Sequence, residues 1–227
     1  MLVEGKLGFP EVKAGILVAL LLVVGSGSML IRINQDLSPF SILFLLLIGV
    51  FLGLGYTAPP FKFSYRGLGE ITVGLTHSPY VILCGYIFQG GSWQSPLPWL
   101  ICIPLFFATL GAITLAGIPD RLADQEVSKR VLAVIFGPRG AAILASFFVC
   151  IAAVSGMLLW YCKIIKGILG GMIFIVIPHG LILLYGLFKL IQSSNYDRKI
   201  DGIMTLSLSY IIWFGIIPLL ALMAGRN

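Results

Sequence analysis

Seven apolar stretches of roughly 20 residues constrain this sequence most, because such a stretch can cross a lipid bilayer as a helix. They cover residues 14–33, 39–56, 70–89, 97–118, 139–160, 165–188 and 202–223. Of the 227 residues, 59% are hydrophobic and 11% are charged, whereas soluble domains carry about 25% charged residues. The stretches lack the alternation that barrel strands require. The sequence therefore predicts an all-α fold, a polytopic membrane helical bundle of about seven transmembrane helices.

We find no internal repeat and no linker long enough to separate two folded units, so a single domain over residues 1–227 is predicted. Four cysteines lie in or at the ends of different apolar stretches, without the spacing of metal ligands. They are interpreted as small packing residues.

Lysine and arginine are distributed unevenly between the two sides of the predicted bundle. Eleven lie on the N-terminal side, namely Lys6, Lys13, Lys62, Arg66, Arg121, Lys129, Arg130, Arg139, Lys189, Arg198 and Lys199. Four lie on the other side, namely Arg32, Lys163, Lys166 and Arg226. Since basic loops stay in the cytoplasm, the loops 57–69, 119–138 and 189–201 are predicted to be cytoplasmic in a multi-pass protein of a bacterial or archaeal membrane. The net charge of +6 also favours anionic membrane lipids and does not require nucleic acid.

Polar side chains concentrate in residues 120–130, a segment that holds six charged residues. Asp120 and Asp124 are four positions apart, which places both carboxylates on one face of a helical turn. With Lys129 and Arg130 following, such a pair can hold Mg²⁺ against a pyrophosphate at the membrane edge. Charge alone leaves open the alternative of an ordinary cytoplasmic loop.

The segment over residues 56–70 is also unusual. Pro59 and Pro60 end the second apolar stretch, since proline and the residue before it resist helix formation. Gly67 and Gly69 permit a tight turn or a close approach of the backbone to a ligand. The residues that can line an aromatic and cationic pocket mouth are Tyr56, Lys62, Tyr65 and Arg66. The alternative is an interfacial belt that anchors helices to lipid headgroups.

Two histidines lie within the apolar stretches, where polar residues are functional candidates. His77 precedes Pro79, which frees a carbonyl and opens the helix, and His179 follows Pro178. A histidine hydrogen-bonded to a neighbouring helix is the simpler interpretation of both.

Three segments resemble the UbiA-type intramembrane prenyltransferases. Residues 56–70 are similar to the family segment Y-T-x-P-P…Y-R-G-L-G-E, most closely in relatives that prenylate dihydroxynaphthoate for menaquinone. Residues 85–91 resemble a G-x-Y-x-x-Q-x-G element. Residues 118–137 resemble the second aspartate-rich motif, P-D-x-x-A-D-x-x-x-G-K-R-T-L-A-V-x-x-G. The segments occur in the family's order, and the resemblance covers most of the chain.

The resemblance implies a helical bundle around a central cavity and transfer of an isoprenoid from a polyprenyl pyrophosphate to an aromatic, quinone-precursor-like acceptor. It implies that Asp120 and Asp124 are the catalytic acids and bind Mg²⁺. Mg²⁺ and basic side chains stabilise charge on the departing oxygens, and tyrosine rings can stabilise an allylic cation. The implied substrate-binding residues are Lys129, Arg130, Tyr56, Lys62, Tyr65 and Arg66.

Some family features are missing. The first aspartate-rich motif, N-D-x-x-D-x-x-x-D, is not found, and residues 2–5 resemble the end of the segment that follows it. The chain is therefore expected to begin after that motif, two helices short of the family's nine. Ala116 and Ser128 stand where relatives often carry asparagine and glycine.

Two main hypotheses stay open. In the first hypothesis, the chain is a prenyltransferase that is either read from a truncated gene or completed by a separate N-terminal polypeptide carrying the first motif. Alternatively, it is a non-catalytic membrane scaffold or isoprenoid-binding partner. A small transporter ranks last, because no row of intramembrane charges marks an ion path.

Overall fold

The computed structural model describes residues 8–33, 38–193 and 200–224, and within these ranges the regular elements are all helical. The α-helices are α1 (Phe9–Ile33), α2 (Pro39–Thr57), α3 (Gly69–Leu75), α4 (Val81–Ile87), α5 (Leu97–Glu126), α6 (Leu132–Tyr161), α7 (Gly167–Gly171), α8 (Val176–Gln192) and α9 (Ile200–Ala224). Short 3-10 turns cover Phe63–Tyr65 and Met172–Ile175, and a π segment covers Thr76–Tyr80.

Six helical stretches of this part of the chain are long and apolar enough to cross a membrane: α1, α2, α5, α6, Gly167–Gln192 and α9. The predicted span at residues 70–89 corresponds to Gly69–Ile87, where the π segment separates α3 from α4. Pro79 lies inside that segment and lacks the N–H group that a regular helix needs there. The predicted all-α membrane bundle is confirmed, with six to seven long apolar helices.

Helix α5 is at the centre of the bundle. In the most apolar 18-residue part of α5, 61% of the residues are buried, whereas 6% are buried in the corresponding part of α1. It packs along α6, where Ala141, Ala142 and Ala145 are fully buried, and against α9 and α3. Small residues let two helix backbones approach closely, which is the usual way that helices associate in membranes.

Hydrogen bonds join the connecting segments at each end of the bundle. At one end, the Arg130 N–H donates to Ser64 O (3.2 Å) and Ser64 Oγ donates to Tyr56 O (2.8 Å). At the other end, Trp93 Nε1 donates to Ser41 Oγ (2.9 Å). Residues 56–70 and the α5–α6 connection thus share one end, in agreement with the predicted alternation of spans. The residues of the charge count that lie outside the described residues are Lys6, Arg198, Lys199 and Arg226.

The polar segment predicted as a loop over residues 119–138 is mostly helical. Helix α5 continues to Glu126 and α6 begins at Leu132, so the connection is residues 127–131. Within α6 the chain kinks at Gly137, which has a φ of 70° and precedes Pro138. The candidate aspartates therefore lie on the last turns of a long helix.

His179 connects α8 to α9. Trp213 Nε1 donates to His179 Nδ1 (2.9 Å), and His179 Nε2 lies 3.0 Å from Leu206 O. Because an indole N–H only donates, Nδ1 is the acceptor and Nε2 carries the hydrogen. Both ring nitrogens have partners, which fits the interpretation of this histidine as an interhelical contact.

Candidate functional site

A cavity of about 150 Å³ lies where the C-terminal ends of α2 and α5 meet the start of α3. Three carboxylates, one ammonium and one phenol line it beside small and apolar residues. The lining residues are Tyr56, Glu70, Ile113, Ala116, Gly117, Asp120, Asp124, Lys129 and Val131. A larger cleft of about 280 Å³ at the other end of the bundle is lined only by uncharged residues.

Asp120 and Asp124 both face this cavity from the end of α5, as their spacing predicts. Asp124 accepts a hydrogen bond from Lys129 Nζ at 2.8 Å. Its side chain is 14% exposed, and that of Lys129 is 31% exposed. The hydrogen bond to Asp124 raises the pKa of Lys129 above its ordinary value, so the side chain is cationic at neutral pH.

The turn after α5 brings Lys129 back onto the helix that it follows. Ser128 has a φ of 60°, a left-handed conformation that costs a residue with a Cβ atom about 1–2 kcal/mol. The Lys129 N–H then donates to Asp124 O at 2.9 Å. Glycine adopts this conformation without that cost.

Glu70 is the charged lining residue to which the sequence analysis gave no role. It is 3% exposed, and its Oε1 accepts the Leu132 N–H at 2.6 Å. That N–H belongs to the first turn of α6, whose donors have no partner within the helix. Its Oε2 is buried and has no hydrogen-bond partner among the described residues. Two signals were available: this acid ends the family-like segment over residues 56–70, and it stands at the start of an apolar stretch, where charge is costly.

Four of the predicted site residues line the cavity: Tyr56, Asp120, Asp124 and Lys129. The other four, Lys62, Tyr65, Arg66 and Arg130, lie on neighbouring loops outside its lining. Lys62 Nζ lies 5.4 Å from the centre of the Tyr65 ring, and the Arg66 guanidinium donates to Pro60 O at 2.8 Å. The Arg130 residue is exposed. The roles of all eight residues stay predictions.

The donor set of the cavity fits a metal ion that is shared with a substrate. In residues 8–33, 38–193 and 200–224, no three His, Cys, Asp or Glu side chains are grouped closely enough to hold a metal. Mg²⁺ often binds through one or two carboxylates, with water and substrate phosphates completing its coordination. Asp120 and Asp124 supply two carboxylates of this kind, so they suit a metal–diphosphate complex better than a metal held by protein alone.

Comparison with known proteins identifies the family of this chain. The sequence pattern of the UbiA prenyltransferase family matches residues 2–209. The chain belongs to the UbiA prenyltransferase family. The resemblance carried by its three motif segments is thereby confirmed. UbiA-family prenyltransferases generally depend on a metal, and the acid pair on α5 is the part of this member's cavity that suits one.

Individual relatives of this UbiA-family chain are quinone-type prenyltransferases. The 4-hydroxybenzoate octaprenyltransferase of Marinomonas sp. (strain MWYL1) is 27% identical over 150 residues, which cover 66% of this chain and 50% of that protein. The 1,4-dihydroxy-2-naphthoate octaprenyltransferase of Bacillus subtilis (strain 168) is 31% identical over 118 residues, 50% of this chain and 37% of that protein. The chain thus spans half or less of these relatives. No solved structure matches it significantly.

Proposed function

We propose that this UbiA-family chain acts in the Mg²⁺-dependent transfer of an isoprenoid from its diphosphate to an aromatic, quinone-precursor-like acceptor. The observation that carries the proposal is one cavity that gathers Tyr56, Asp120, Asp124 and Lys129. The names of the relatives support a hydroxylated aromatic acid as the acceptor class.

In this proposal, Asp120 and Asp124 would hold the metal ion beside the diphosphate. When bound, Mg²⁺ neutralises charge on the leaving oxygens. Lys129, which pairs with Asp124, turns to a diphosphate oxygen and donates a hydrogen bond as the carbon–oxygen bond breaks. Its ammonium reduces the charge that the leaving group must carry.

The remaining lining residues would protect the allylic cation that departing diphosphate leaves behind. The Tyr56 ring provides a π face, and such a contact with a cation contributes about 0.5–2 kcal/mol. Ile113 and Val131 line the same cavity and reduce access of water to the cation. The isoprenoid tail would lie between the apolar helices and the membrane lipids.

The proposal includes the setting of the site. Its loops would face the cytoplasm of a bacterial or archaeal cell, since the basic residues are concentrated there. A separate N-terminal polypeptide carrying further carboxylates stays a prediction. Recovery of a second, aspartate-rich membrane polypeptide with the affinity-tagged chain from its native membrane would support that prediction.

Binding of farnesyl diphosphate to the purified chain in nanodiscs, with and without Mg²⁺, tests the site. Asp120→Asn and Asp124→Asn should each weaken Mg²⁺-dependent binding about 10–100-fold, because each removes a charged ligand worth roughly 1.5–3 kcal/mol. Asp201→Asn, at an exposed acid in the first turn of α9, should leave binding unchanged. Equal effects of the three substitutions would contradict the assignment.

Binding of an isoprenoid without turnover is the second candidate function. It is favoured by the lack of a three-ligand metal group in the part of the chain that the structure describes. Release of diphosphate in the presence of acceptor distinguishes the two functions. Tight Mg²⁺-dependent binding without release would favour the scaffold function, and release that Asp124→Asn abolishes would favour the enzyme.

A further inference from the structure

We infer that Glu70 is an acceptor-binding residue, whose free oxygen accepts a hydrogen bond from a hydroxyl group on the aromatic substrate. This inference rests on the proposed function and assigns one side of the cavity to the acceptor. It starts from the different surroundings of the two oxygens of the Glu70 carboxylate. Oε1 is held by the Leu132 N–H at 2.6 Å, whereas the buried Oε2 lacks a partner among the described residues.

A buried carboxylate oxygen without a donor is costly, because burial removes its hydrogen bonds to water. Glu70 lines the cavity, so the residue borders the space that a bound molecule would occupy. An ionised carboxylate offers only acceptor sites. While Glu70 is ionised, a group that satisfies Oε2 must carry a hydrogen to donate.

The charges of the cavity indicate which ligand supplies that hydrogen. A diphosphate is anionic and is repelled by Glu70, but it is drawn to Lys129 and to a metal on Asp120 and Asp124. Glu70, Asp120 and Asp124 do not form a three-ligand metal group within the described ranges. A phenolic hydroxyl is neutral, donates one hydrogen and comes attached to an aromatic ring.

The neighbours of Glu70 suit a ring. Tyr56 lines the same cavity, and Ala116 and Gly117 leave the space that larger side chains would fill. The hydroxyl of Tyr56 also lies within 3.7 Å of the point where a methyl group on Gly69 would stand, so the phenol lies beside the backbone that precedes Glu70. The cavity thus offers the acceptor a hydrogen-bond acceptor in Glu70 and an aromatic neighbour in Tyr56.

The test compares ligands that differ by one hydroxyl group. The affinity of the full chain in nanodiscs is measured for 4-hydroxybenzoate against benzoate, and for 4-hydroxy-2-naphthoate against 2-naphthoate. In the wild type, the hydroxylated member of at least one pair should bind about tenfold more tightly or better, since a hydrogen bond to a buried charged group has that order of effect. Equal affinities within both pairs would overturn the inference.

Glu70→Gln is the decisive variant, because its amide oxygen can still accept the Leu132 N–H while its other terminal group becomes a donor. The preference for the hydroxylated ligand should fall severalfold, because a neutral amide N–H that can only donate to the hydroxyl oxygen replaces the charged acceptor, and the melting temperature should change little. Glu126→Gln is the matched control, since Glu126 is exposed and lies outside the cavity lining. A preference that keeps its wild-type size in folded Glu70→Gln would refute the role of the carboxylate.

Glu70→Asp provides a second route if Glu70→Gln fails to fold. It keeps the carboxylate but shortens the side chain, so part of the preference should remain, and complete loss or full retention would count against the inference. Mg²⁺-dependent farnesyl diphosphate binding separates this result from the proposed function. If the wild type binds the diphosphate but shows no hydroxyl preference, only the Glu70 inference fails, whereas binding of neither ligand refutes both.

Discussion

The ion pair between Lys129 and Asp124 leads to a prediction in which two affinities move in opposite directions. Without substrate, Lys129 occupies an oxygen of the acid that is proposed to hold the metal, at 2.8 Å. A metal ion that binds alone must displace this ammonium. With diphosphate present, the same ammonium gains a new anionic partner. Replacing Lys129 by methionine removes the charge and keeps an unbranched side chain.

The structure sets the size of the two effects. Coulomb attraction at 2.8 Å and an effective dielectric constant of about 20 gives an upper limit of roughly 6 kcal/mol. Lys129 is 31% exposed, so solvent screening and desolvation reduce the net contribution to about 1–2 kcal/mol. At 1.4 kcal/mol per tenfold, Lys129→Met should tighten binding of the bare metal roughly 5- to 30-fold. It should weaken binding of the metal–diphosphate complex by a similar factor.

Electron paramagnetic resonance of Mn²⁺, used in place of Mg²⁺, measures the affinity for the bare metal. Equilibrium binding of farnesyl diphosphate at saturating metal measures the affinity for the metal–diphosphate complex. Lys189→Met is the control, because Lys189 lies over the Tyr185 ring and outside the cavity lining. It should change neither affinity. If Lys129→Met weakened both affinities in parallel, Lys129 would only stabilise the fold. That result would refute its proposed exchange between Asp124 and the diphosphate.

Three further predictions concern stability, measured by thermal unfolding in detergent. Ser128→Gly should stabilise the chain by up to about 1 kcal/mol, because glycine relieves the left-handed strain at some cost in entropy; destabilisation would argue against that strain. Trp213→Phe should lower the stability by about 1 kcal/mol, since it leaves Nδ1 of His179 without its donor (2.9 Å). The double variant with His179→Leu should recover part of that stability. Gly74→Leu should lower the stability by about 1–3 kcal/mol, because even its Cβ would lie 2.8 Å from the Phe106 ring. Gly53→Leu, at a position with open space, is the control and should be nearly neutral.

The sequence predicts the fold class well because lipid leaves few ways to satisfy the backbone. It also places Asp120 and Asp124 on one face, since helix periodicity is a local property. The extents of α5 and α6 were harder to predict, because a polar segment such as residues 119–126 can continue a helix beyond the membrane. Charge cannot distinguish that helix from a loop.

The role of Glu70 could not be read from local sequence. Its partner Leu132 is 62 positions away, and only the packing of α3 against α5 and the start of α6 brings them together. The same reason explains the different positions of Lys62 and Lys129. Both are cations near a predicted pocket, but only the turn at Ser128 directs one of them into the cavity.

The π segment at Thr76–Tyr80 affects how any substitution series along Gly69–Ile87 should be interpreted. A π turn contains one residue more than an α turn, and one residue corresponds to roughly 100° of rotation. Positions that tolerate change in α3 will therefore fall out of phase with tolerant positions in α4. A scan analysed with one uninterrupted period of 3.6 would assign the second half of this span to the wrong neighbours.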